Sequence, residues 1–280
     1  MDTFLTLTEL LAVLKENNIV LEKKLGQNFL IDRNVRDKIL SFADITRKDI
    51  VVEIGPGLGA LTGVIAEKCG TVYAVEKDRK IAEILKNRLK NYSHVHIINN
   101  DFLKLDEQIF SSLKEKVKII GNLPYSVASL ILFKLIELKM FWNFALVMIP
   151  EDVALKIMAI PGDKNFNHMS VFFSVFTNCS ICYRIPGSVF FPVPDVKSVV
   201  MKITPKEKLE YQIKDEKLFL ETVPKIFVHR RKNILNVLSS SFRIDKKDIL
   251  AIIQHLQIEP SMRSHQIEIN KIIKLVEILS

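Results

Sequence analysis

The sequence predicts an α/β fold with a doubly wound, mostly parallel sheet, followed by a small all-helical C-terminal domain. Two observations predict this fold. Short apolar runs alternate with amphipathic stretches through the first two thirds of the chain, as they do in repeated βαβ units. After Pro205 the strand pattern ends and only helical periodicity remains. We therefore expect two domains, residues 1–205 and residues 206–280.

The predicted strands are mostly apolar on both faces, which is typical of central strands in a parallel sheet. They cover residues 49–55, 71–77, 95–101, 117–122 and 144–150, with a late strand at 198–205. Amphipathic stretches between them, such as residues 60–70 and 126–140, are predicted crossover helices. The tail has three helical patterns, at residues 217–228, 246–256 and 269–279.

Composition places the chain among globular proteins, because 280 residues with 48% hydrophobic content suffice for one large core and a satellite domain. The first twenty residues lack a basic leader and a cleavage site, and no apolar run is long enough to span a bilayer. An odd count of three cysteines then favours a reducing cytoplasm. We expect no membrane partner.

The spacing of Cys179 and Cys182 is that of some metal or redox pairs. No second such pair and no nearby pair of histidines accompanies it. Buried strand cysteines are therefore the simpler interpretation, and we expect no metal.

Charge favours a polyanionic partner, since 40 basic residues against 32 acidic ones give a net charge of +8. The excess is spread along the chain, and its densest cluster is "HRRK" at residues 229–232, within a stretch of helical periodicity. A solvated helix face and a nucleic-acid-binding surface fit this charge equally well. The planar guanidinium group of Arg can donate paired hydrogen bonds to phosphate oxygens. We therefore expect Arg230, Arg231 and Lys232 to contact RNA, with helix packing as the alternative.

The first predicted strand runs into a glycine turn, "EIGPGLG" at residues 53–59. Glycines at a strand-to-helix turn let the backbone approach a ligand closely, and the helix start offers free N–H groups. The spacing is G-x-G-x-G, whereas the dinucleotide fingerprint is G-x-G-x-x-G. This difference disfavours a nicotinamide oxidoreductase.

Three acids lie at or near the ends of successive predicted strands. Glu53 precedes Gly55 by two positions, Glu76 ends the second strand and Asp101 ends the third. Each alone is typical of a solvated strand end. Together on the carboxyl edge of a parallel sheet they predict a nucleoside-shaped ligand, with Glu76 placed to accept both ribose hydroxyls.

The fourth predicted strand runs into "GNLPY" at residues 121–125. Pro124 restricts Leu123 to an extended conformation and brings no N–H that would compete for its carbonyl. Asn122 adds a side-chain carbonyl, and Tyr125 adds a flat face with a polar end. Two acceptors converging on one point suit a planar exocyclic amine, although a proline turn with a packed Tyr is the plainer alternative.

Six motifs together resemble the small-subunit ribosomal RNA adenine dimethyltransferases, which use S-adenosylmethionine to dimethylate two adjacent adenosines near the 3′ end of that RNA. They are "LGQNFLID" (25–32), "VVEIGPGLGALT" (51–62), "AVEKD" (74–78), "NDFLK" (100–104), "GNLPYSVAS" (121–129) and "FFPVPDVKS" (190–198). The resemblance covers nearly the whole chain. It implies a ribosomal RNA substrate within an immature small subunit, and we expect the chain to act as a monomer.

The resemblance also implies which residues act. The cofactor contacts would be Asn28, Leu30, Gly55, Glu76, Asp101 and Asn122. Asn122 and the Leu123 carbonyl of "NLPY" would draw on the two N–H groups of the adenine amine, so catalysis would act by position and electrostatics. Tyr125 would stack on the flipped base, opposite Phe190 of "FFP".

Several positions depart from the family pattern. Pro150 stands where the family usually has Gln before the acid, with Asp152 and Lys156 also unusual, and Asn167 and His168 replace a usual Gly and Arg. These changes bear on RNA docking, since they flank the predicted substrate mouth. Two alternatives stay open: a large-subunit RNA methyltransferase of the antibiotic-resistance type, and a non-catalytic RNA-binding assembly factor on the same fold.

Overall fold

The computed structural model describes residues 4–21, 27–113 and 115–280. The chain forms two compact units, the first from residues 1–154 and 179–205 and the second from residues 155–178 and 206–280. The units differ from the predicted domains in one segment. Residues 155–178, predicted to belong to the first domain, group with the helical tail, because the chain leaves the sheet after one strand and returns to it later.

The described strands are β1 (Phe29–Leu30), β2 (Ile50–Ile54), β3 (Thr71–Glu76), β4 (Val95–Asn99), β5 (Val117–Asn122), β6 (Trp142–Pro150), β7 (Thr177–Ile185), β8 (Phe190–Phe191) and β9 (Ser198–Pro205). All six predicted strands are confirmed. The sequence did not predict β7 or the two-residue strands β1 and β8.

The described α-helices alternate with these strands and then dominate the tail. They are α1 (Leu7–Glu16), α2 (Arg33–Leu40), α3 (Thr62–Lys68), α4 (Arg79–Arg88), α5 (Glu107–Ser111), α6 (Ala128–Glu137), α7 (Glu151–Ile157), α8 (His168–Phe176), α9 (Glu216–Ile226), α10 (Ile234–Phe242), α11 (Lys246–His255) and α12 (Ile269–Leu279). The three predicted tail helices correspond to α9, α11 and α12. Among the described helices, none combines the length and hydropathy that crossing a bilayer requires.

The first unit is built on a sheet whose described strands run in the order β4-β3-β2-β5-β6-β9-β7. The pairs from β4 to β6 are parallel, and β9 joins β6 in the antiparallel sense. The predicted doubly wound, mostly parallel fold is confirmed. Strand order reverses between β2 and β5, and ligands of such sheets bind in the crevice beyond the carboxyl ends at this switch point.

The central strands are buried because both of their faces are apolar. Val51, Ile54, Ile119 and Ile120 are almost fully shielded from solvent, as is typical of a parallel sheet with helices on both faces. The helix starts are set locally: the Asp78 carboxylate caps α4 by accepting from the N–H groups of Lys80 and Ile81. Strand ends and helix starts are therefore well defined where β2, β3 and β5 meet the crevice.

The second unit packs its helices around a cluster of phenylalanines. Helix α9 packs against α8, α10 and α12. Phe219 of α9 makes edge-to-face contacts with Phe172 and Phe176 of α8, and Phe227 makes another with Phe166. The "HRRK" cluster differs from expectation. It lies in the turn between α9 and α10, not on a helix, and the Asn233 side chain after it caps α10.

Candidate active site

The glycine turn after β2 lies against the end of β5. Gly55 has a φ of +65°, and a Cβ atom there would lie 3.4 Å from the main-chain oxygen of Asn122. Gly57 has a φ of +56°, and a Cβ atom would lie 3.2 Å from the Phe29 ring. Both positions combine a left-handed conformation with close neighbours, which is why glycine is required. The turn thereby presents bare backbone at the switch point.

Glu76, the last residue of β3, holds this turn in place. One carboxylate oxygen accepts from the N–H of Gly57 at 3.1 Å, and the other accepts from the N–H of Asp78 at 2.8 Å. Burial raises the pKa of the Glu76 carboxyl above its ordinary value, although these two donors oppose the shift. Glu76 therefore lies beside the glycine turn, and its carboxylate connects the ends of β2 and β3.

Glu53 is a second buried acid at the same edge. Its side chain is 1% exposed, and Oε2 has no hydrogen-bond partner among the described residues. Burial raises the pKa of Glu53 to about 8, with a further contribution from Glu76 and an opposing one from the Thr62 hydroxyl. A buried polar atom without a partner is costly, so Oε2 of this cavity-lining residue is available to a group of a ligand.

Asn122, at the end of β5, has a side-chain amide with two distinct ends. Its Nδ2 donates to the main-chain oxygen of Asn28 at 2.7 Å. Because a carbonyl only accepts, this bond fixes the amide orientation and leaves Oδ1 facing elsewhere. Oδ1 is buried and has no partner among the described residues. The side chain therefore offers one oriented, unpaired acceptor.

The next residues continue the "NLPY" motif. Leu123 is 1% exposed, and its N–H donates to the Met148 oxygen of β6 at 3.1 Å. The oxygen of Pro124 accepts from the N–H of Val127, which closes the turn into α6. Tyr125 is partly buried, and its hydroxyl is hydrogen-bonded to the Ser198 hydroxyl. Burial raises the pKa of the Tyr125 phenol, against the effect of that bond.

A cavity of about 400 Å³ brings many of these residues together. Of the predicted cofactor residues, Asn28, Leu30, Gly55, Glu76 and Asn122 line it, and so does Pro124. The strand pair β1–β8 explains the placement of residues 28–30, since Leu30 pairs with Phe190 and Phe29 with Phe191. Leu25 and Gly26 of the first motif lie outside the described residues.

Four predicted site residues of the first unit, Leu123 among them, do not line the cavity. Asp101 follows β4, and its carboxylate pairs with the Lys77 ammonium at 2.9 Å and accepts from the N–H of Leu103. Burial raises the pKa of Asp101, but these bonds outweigh it and the pKa lies below its ordinary value. Tyr125 and Phe190 also lie outside the lining. Phe190 is 1% exposed in the main hydrophobic core, so in this arrangement its ring has no free face for a base.

The structure adds cavity residues that the sequence did not single out. Leu5 and Leu10 come from the N-terminal segment and α1, and Phe29, Leu58 and Ile81 supply further apolar surface. Apolar positions at helical spacing in the first twenty residues fit α1 but do not show where it packs. Glu53 was noted only as part of a pattern of three acids, and the lack of a described partner for its Oε2 is visible only in the structure.

The basic cluster lies in the second unit and is exposed. Arg230, Arg231 and Lys232 are all solvent-exposed in the turn before α10. The Arg230 guanidinium donates to the main-chain oxygen of Lys164, within the same unit. Among the described residues, no group of three or more His, Cys, Asp or Glu side chains is arranged to hold a metal ion. Cys179 and Cys182 lie on β7 and are not joined in a disulfide.

Comparison with known proteins identifies the family of this chain. The family model for ribosomal RNA adenine dimethylase matches residues 19–280. The chain belongs to this family. A ribosomal RNA small subunit methyltransferase A from Halothermothrix orenii is 35% identical over 265 residues, covering 92% of this chain and 88% of that protein. Another of the same name from Clostridioides difficile is 36% identical over 276 residues, covering 96% and 94%.

Solved structures of family-like proteins share the fold. A dimethyladenosine transferase from Plasmodium falciparum matches with a TM-score of 0.71 and 24% identity, over 88% of this chain and 95% of that one. The 23S ribosomal RNA methyltransferase ErmE matches with a TM-score of 0.63 and 20% identity, over 90% and 99%. At these identities the two likenesses show the methyltransferase fold and do not separate small-subunit from large-subunit targets.

Proposed function

We propose that this ribosomal RNA adenine dimethylase family member dimethylates the N6 amines of two adjacent adenosines near the 3′ end of small-subunit ribosomal RNA, with S-adenosylmethionine as methyl donor. The observation that carries the proposal is the amide of Asn122. Its Nδ2 donates to the main-chain oxygen of Asn28, so its buried Oδ1 is an oriented acceptor that no described residue uses. An acceptor of this kind at a ligand cavity is suited to an N–H donor of the substrate.

The cavity fits S-adenosylmethionine in three respects. Its volume of about 400 Å³ lies in the range of small-molecule sites. The bare backbone of the glycine turn allows close approach of a ligand. Glu53 and Glu76 offer carboxyl groups to ribose hydroxyls and to the positive charges of the cofactor. Asn28, Leu30, Gly55, Glu76 and Asn122 would hold it, while Asp101, already paired with Lys77, stays a predicted contact.

The chain's own residues would act on the adenine amine by position. S-adenosylmethionine, when bound, supplies an electrophilic methyl group. The lone pair of N6 is delocalised into the ring, so the amine is a poor nucleophile until both N–H groups are drawn toward acceptors. The Oδ1 atom of Asn122 and the carbonyl of Leu123 would accept these two bonds and favour a pyramidal nitrogen. After transfer the proton would leave to water, since the methylated nitrogen is acidic.

The target base must leave its stack to reach this point. Tyr125 would contact it, with the ring held by the Ser198 hydrogen bond. The predicted stacking on Phe190 would need that side chain to leave the core, so we assign the base contact to Tyr125 alone.

We further propose that the first unit binds the cofactor and that the exposed basic turn of the second unit contacts RNA within an immature small subunit, with the chain acting as a monomer in the cytoplasm. The small-subunit relatives, at 35% and 36% identity over nearly the whole chain, favour this target over the large subunit. The unpaired acceptor of Asn122 favours catalysis over a role in assembly alone.

Mass spectrometry of small-subunit RNA from cells with and without this chain tests the proposal. We expect two adjacent N6,N6-dimethyladenosines that disappear with the chain. A transfer assay with labelled S-adenosylmethionine on naked RNA, immature small subunits and large subunits then separates the alternatives. Label on large-subunit RNA would favour the resistance-type enzyme, and no label on any substrate would favour a non-catalytic factor.

A further inference from the structure

The carbonyl of Leu123 lies where the β5–β6 ladder would ordinarily supply it with a donor. In the register of these parallel strands, Asn122 pairs with Met148, and the N–H of Leu123 donates to the Met148 oxygen at 3.1 Å. In a parallel ladder, a residue that donates to the oxygen of one residue accepts from the N–H two positions further along the partner strand. For the oxygen of Leu123, that position is residue 150.

Residue 150 is a proline, and its nitrogen faces β5. The orientation follows from the other side of β6, because the N–H of Glu151 donates to the Lys197 oxygen at 2.8 Å, next to β9. Alternate residues of a strand direct their backbone polar groups to opposite sides. Residues 149 and 151 therefore face β9, whereas Met148 and Pro150 face β5. Proline has no N–H, so the ladder ends without a donor for Leu123.

This arrangement leaves two acceptors side by side in sequence. Among the described residues, no backbone N–H outside the helices and strands donates to the Leu123 carbonyl, and the neighbouring Oδ1 of Asn122 is also unpaired. Buried backbone carbonyls are ordinarily satisfied, so an unsatisfied one beside an unsatisfied side-chain acceptor indicates a shared external donor. An amine with two N–H groups is such a donor.

We propose that Pro150 is a positioning residue for methyl transfer: by withholding an N–H from the β5–β6 ladder, it keeps the Leu123 carbonyl free to accept from the adenine amine. This inference rests on the proposed function. A carbonyl has two lone pairs, so an N–H at position 150, which the family's usual Gln would supply, would weaken its bond to the substrate without preventing it. We therefore expect that restoring the N–H lowers the rate of the chemical step severalfold and leaves binding of cofactor and RNA nearly unchanged.

Pro150→Ala and Pro150→Gln test the inference, since each restores an N–H with a different side chain. We expect the single-turnover rate at saturating cofactor and RNA to fall by about three- to tenfold in both variants. Cofactor and RNA affinities should stay within about twofold of those of the wild-type chain. Hydrogen exchange should show that the new amide of residue 150 is protected, as expected for an N–H bonded to Leu123.

A double-mutant cycle with Asn122→Ala gives a readout that a purely structural role would not move. If the two positions act on one amine, the effect of Pro150→Ala should shrink in the Asn122→Ala background. Wild-type transfer rates in both single variants, or an unprotected amide at residue 150, would overturn the inference and leave the proposed function intact. Absence of N6 methylation by the wild-type chain would overturn the proposed function itself.

Discussion

At the scale of a single residue, the Asn122 amide donates through Nδ2 to the Asn28 oxygen and presents Oδ1 as an unpaired acceptor. Removing it in Asn122→Ala should lower turnover by about a hundredfold or more, because a positioned acceptor is lost where charge develops. RNA affinity should change far less. Turnover is measured at saturating cofactor, since the side chain lines the cofactor cavity. The exposed Ser129→Ala on α6 is the matched control, and full activity in the Asn122 variant would reduce "NLPY" to a structural turn.

Glu53 predicts a pH dependence of stability. Its pKa is about 8 in the folded chain against an ordinary 4.5, so the native state binds the extra proton between these values. Stability contributed by this group is present below about pH 4.5, is lost as pH rises toward 8, and then levels off. Glu53→Gln removes the titration, and the variant should gain stability relative to wild type at high pH, by a few kcal/mol at most (order of magnitude).

Denaturant unfolding of wild type and Glu53→Gln at pH 5 and pH 9 measures this difference. The stabilising effect of the substitution should be larger at pH 9. An equal effect at both values would mean that Glu53 is ionised in the folded chain across this range. The sequence predicted an acid near the glycine turn, but only the burial of Glu53, with no described partner for Oε2, reveals its raised pKa.

At the scale of elements, Glu76 connects two strand ends through the glycine turn. Glu76→Ala should weaken binding of S-adenosylmethionine about ten- to a hundredfold, since charge-assisted hydrogen bonds are worth about 1.5 to 3 kcal/mol each. The structure adds a second cause, because the same carboxylate accepts from the N–H groups of Gly57 and Asp78. Calorimetry gives the affinity.

Two further variants separate the causes of that loss. Glu76→Gln keeps an acceptor for one N–H and should lose less affinity than Glu76→Ala. Glu83→Ala removes an exposed carboxylate on α4 that pairs with Arg79, and should bind the cofactor as wild type does. If Glu76→Ala retains full affinity, the assignment of this acid to the cofactor is wrong.

Elements differed in how well local sequence predicted them. The central strands are continuous apolar runs that end at glycines or acids, so their positions and the crevice beyond β2, β3 and β5 followed from pattern alone. The pair β1–β8 did not, because it joins Phe29 and Phe191 across the chain through two residues on each strand. Such short strands have no periodicity of their own, and only the family resemblance drew attention to Asn28 and Leu30.

At the scale of the whole molecule, the two compact units are not consecutive in sequence. The segment from residue 155 to 178 contributes α8 to the second unit, where Phe172 meets Phe219 of α9. Periodicity along the chain predicts helices but not which of them share a core, so the sequence placed the boundary only near residue 205. The structure does change from strands to helices after Pro205. Composition, however, gave no sign that residues 155–178 group with the helices that follow.

The net charge of +8 acts through exposed groups, and the turn before α10 concentrates them. Each phosphate contact steepens the logarithmic salt dependence of RNA binding by about 0.7 to 0.9. Arg231→Ala combined with Lys232→Ala should therefore weaken RNA binding and flatten that slope by about one to two, with cofactor affinity unchanged. The double variant Lys246→Ala with Lys247→Ala removes equal charge from exposed positions of α11 and is the matched control.

Arg230 requires a separate variant because its guanidinium also donates to the Lys164 oxygen within the second unit. Arg230→Ala should lower the melting temperature as well as RNA affinity, since it leaves that carbonyl without this donor. An unchanged salt slope in the Arg231 and Lys232 variant, with a melting temperature several degrees lower, would make the turn structural. An equal loss in the α11 control would instead assign RNA attraction to net charge, with no specific contribution from this turn.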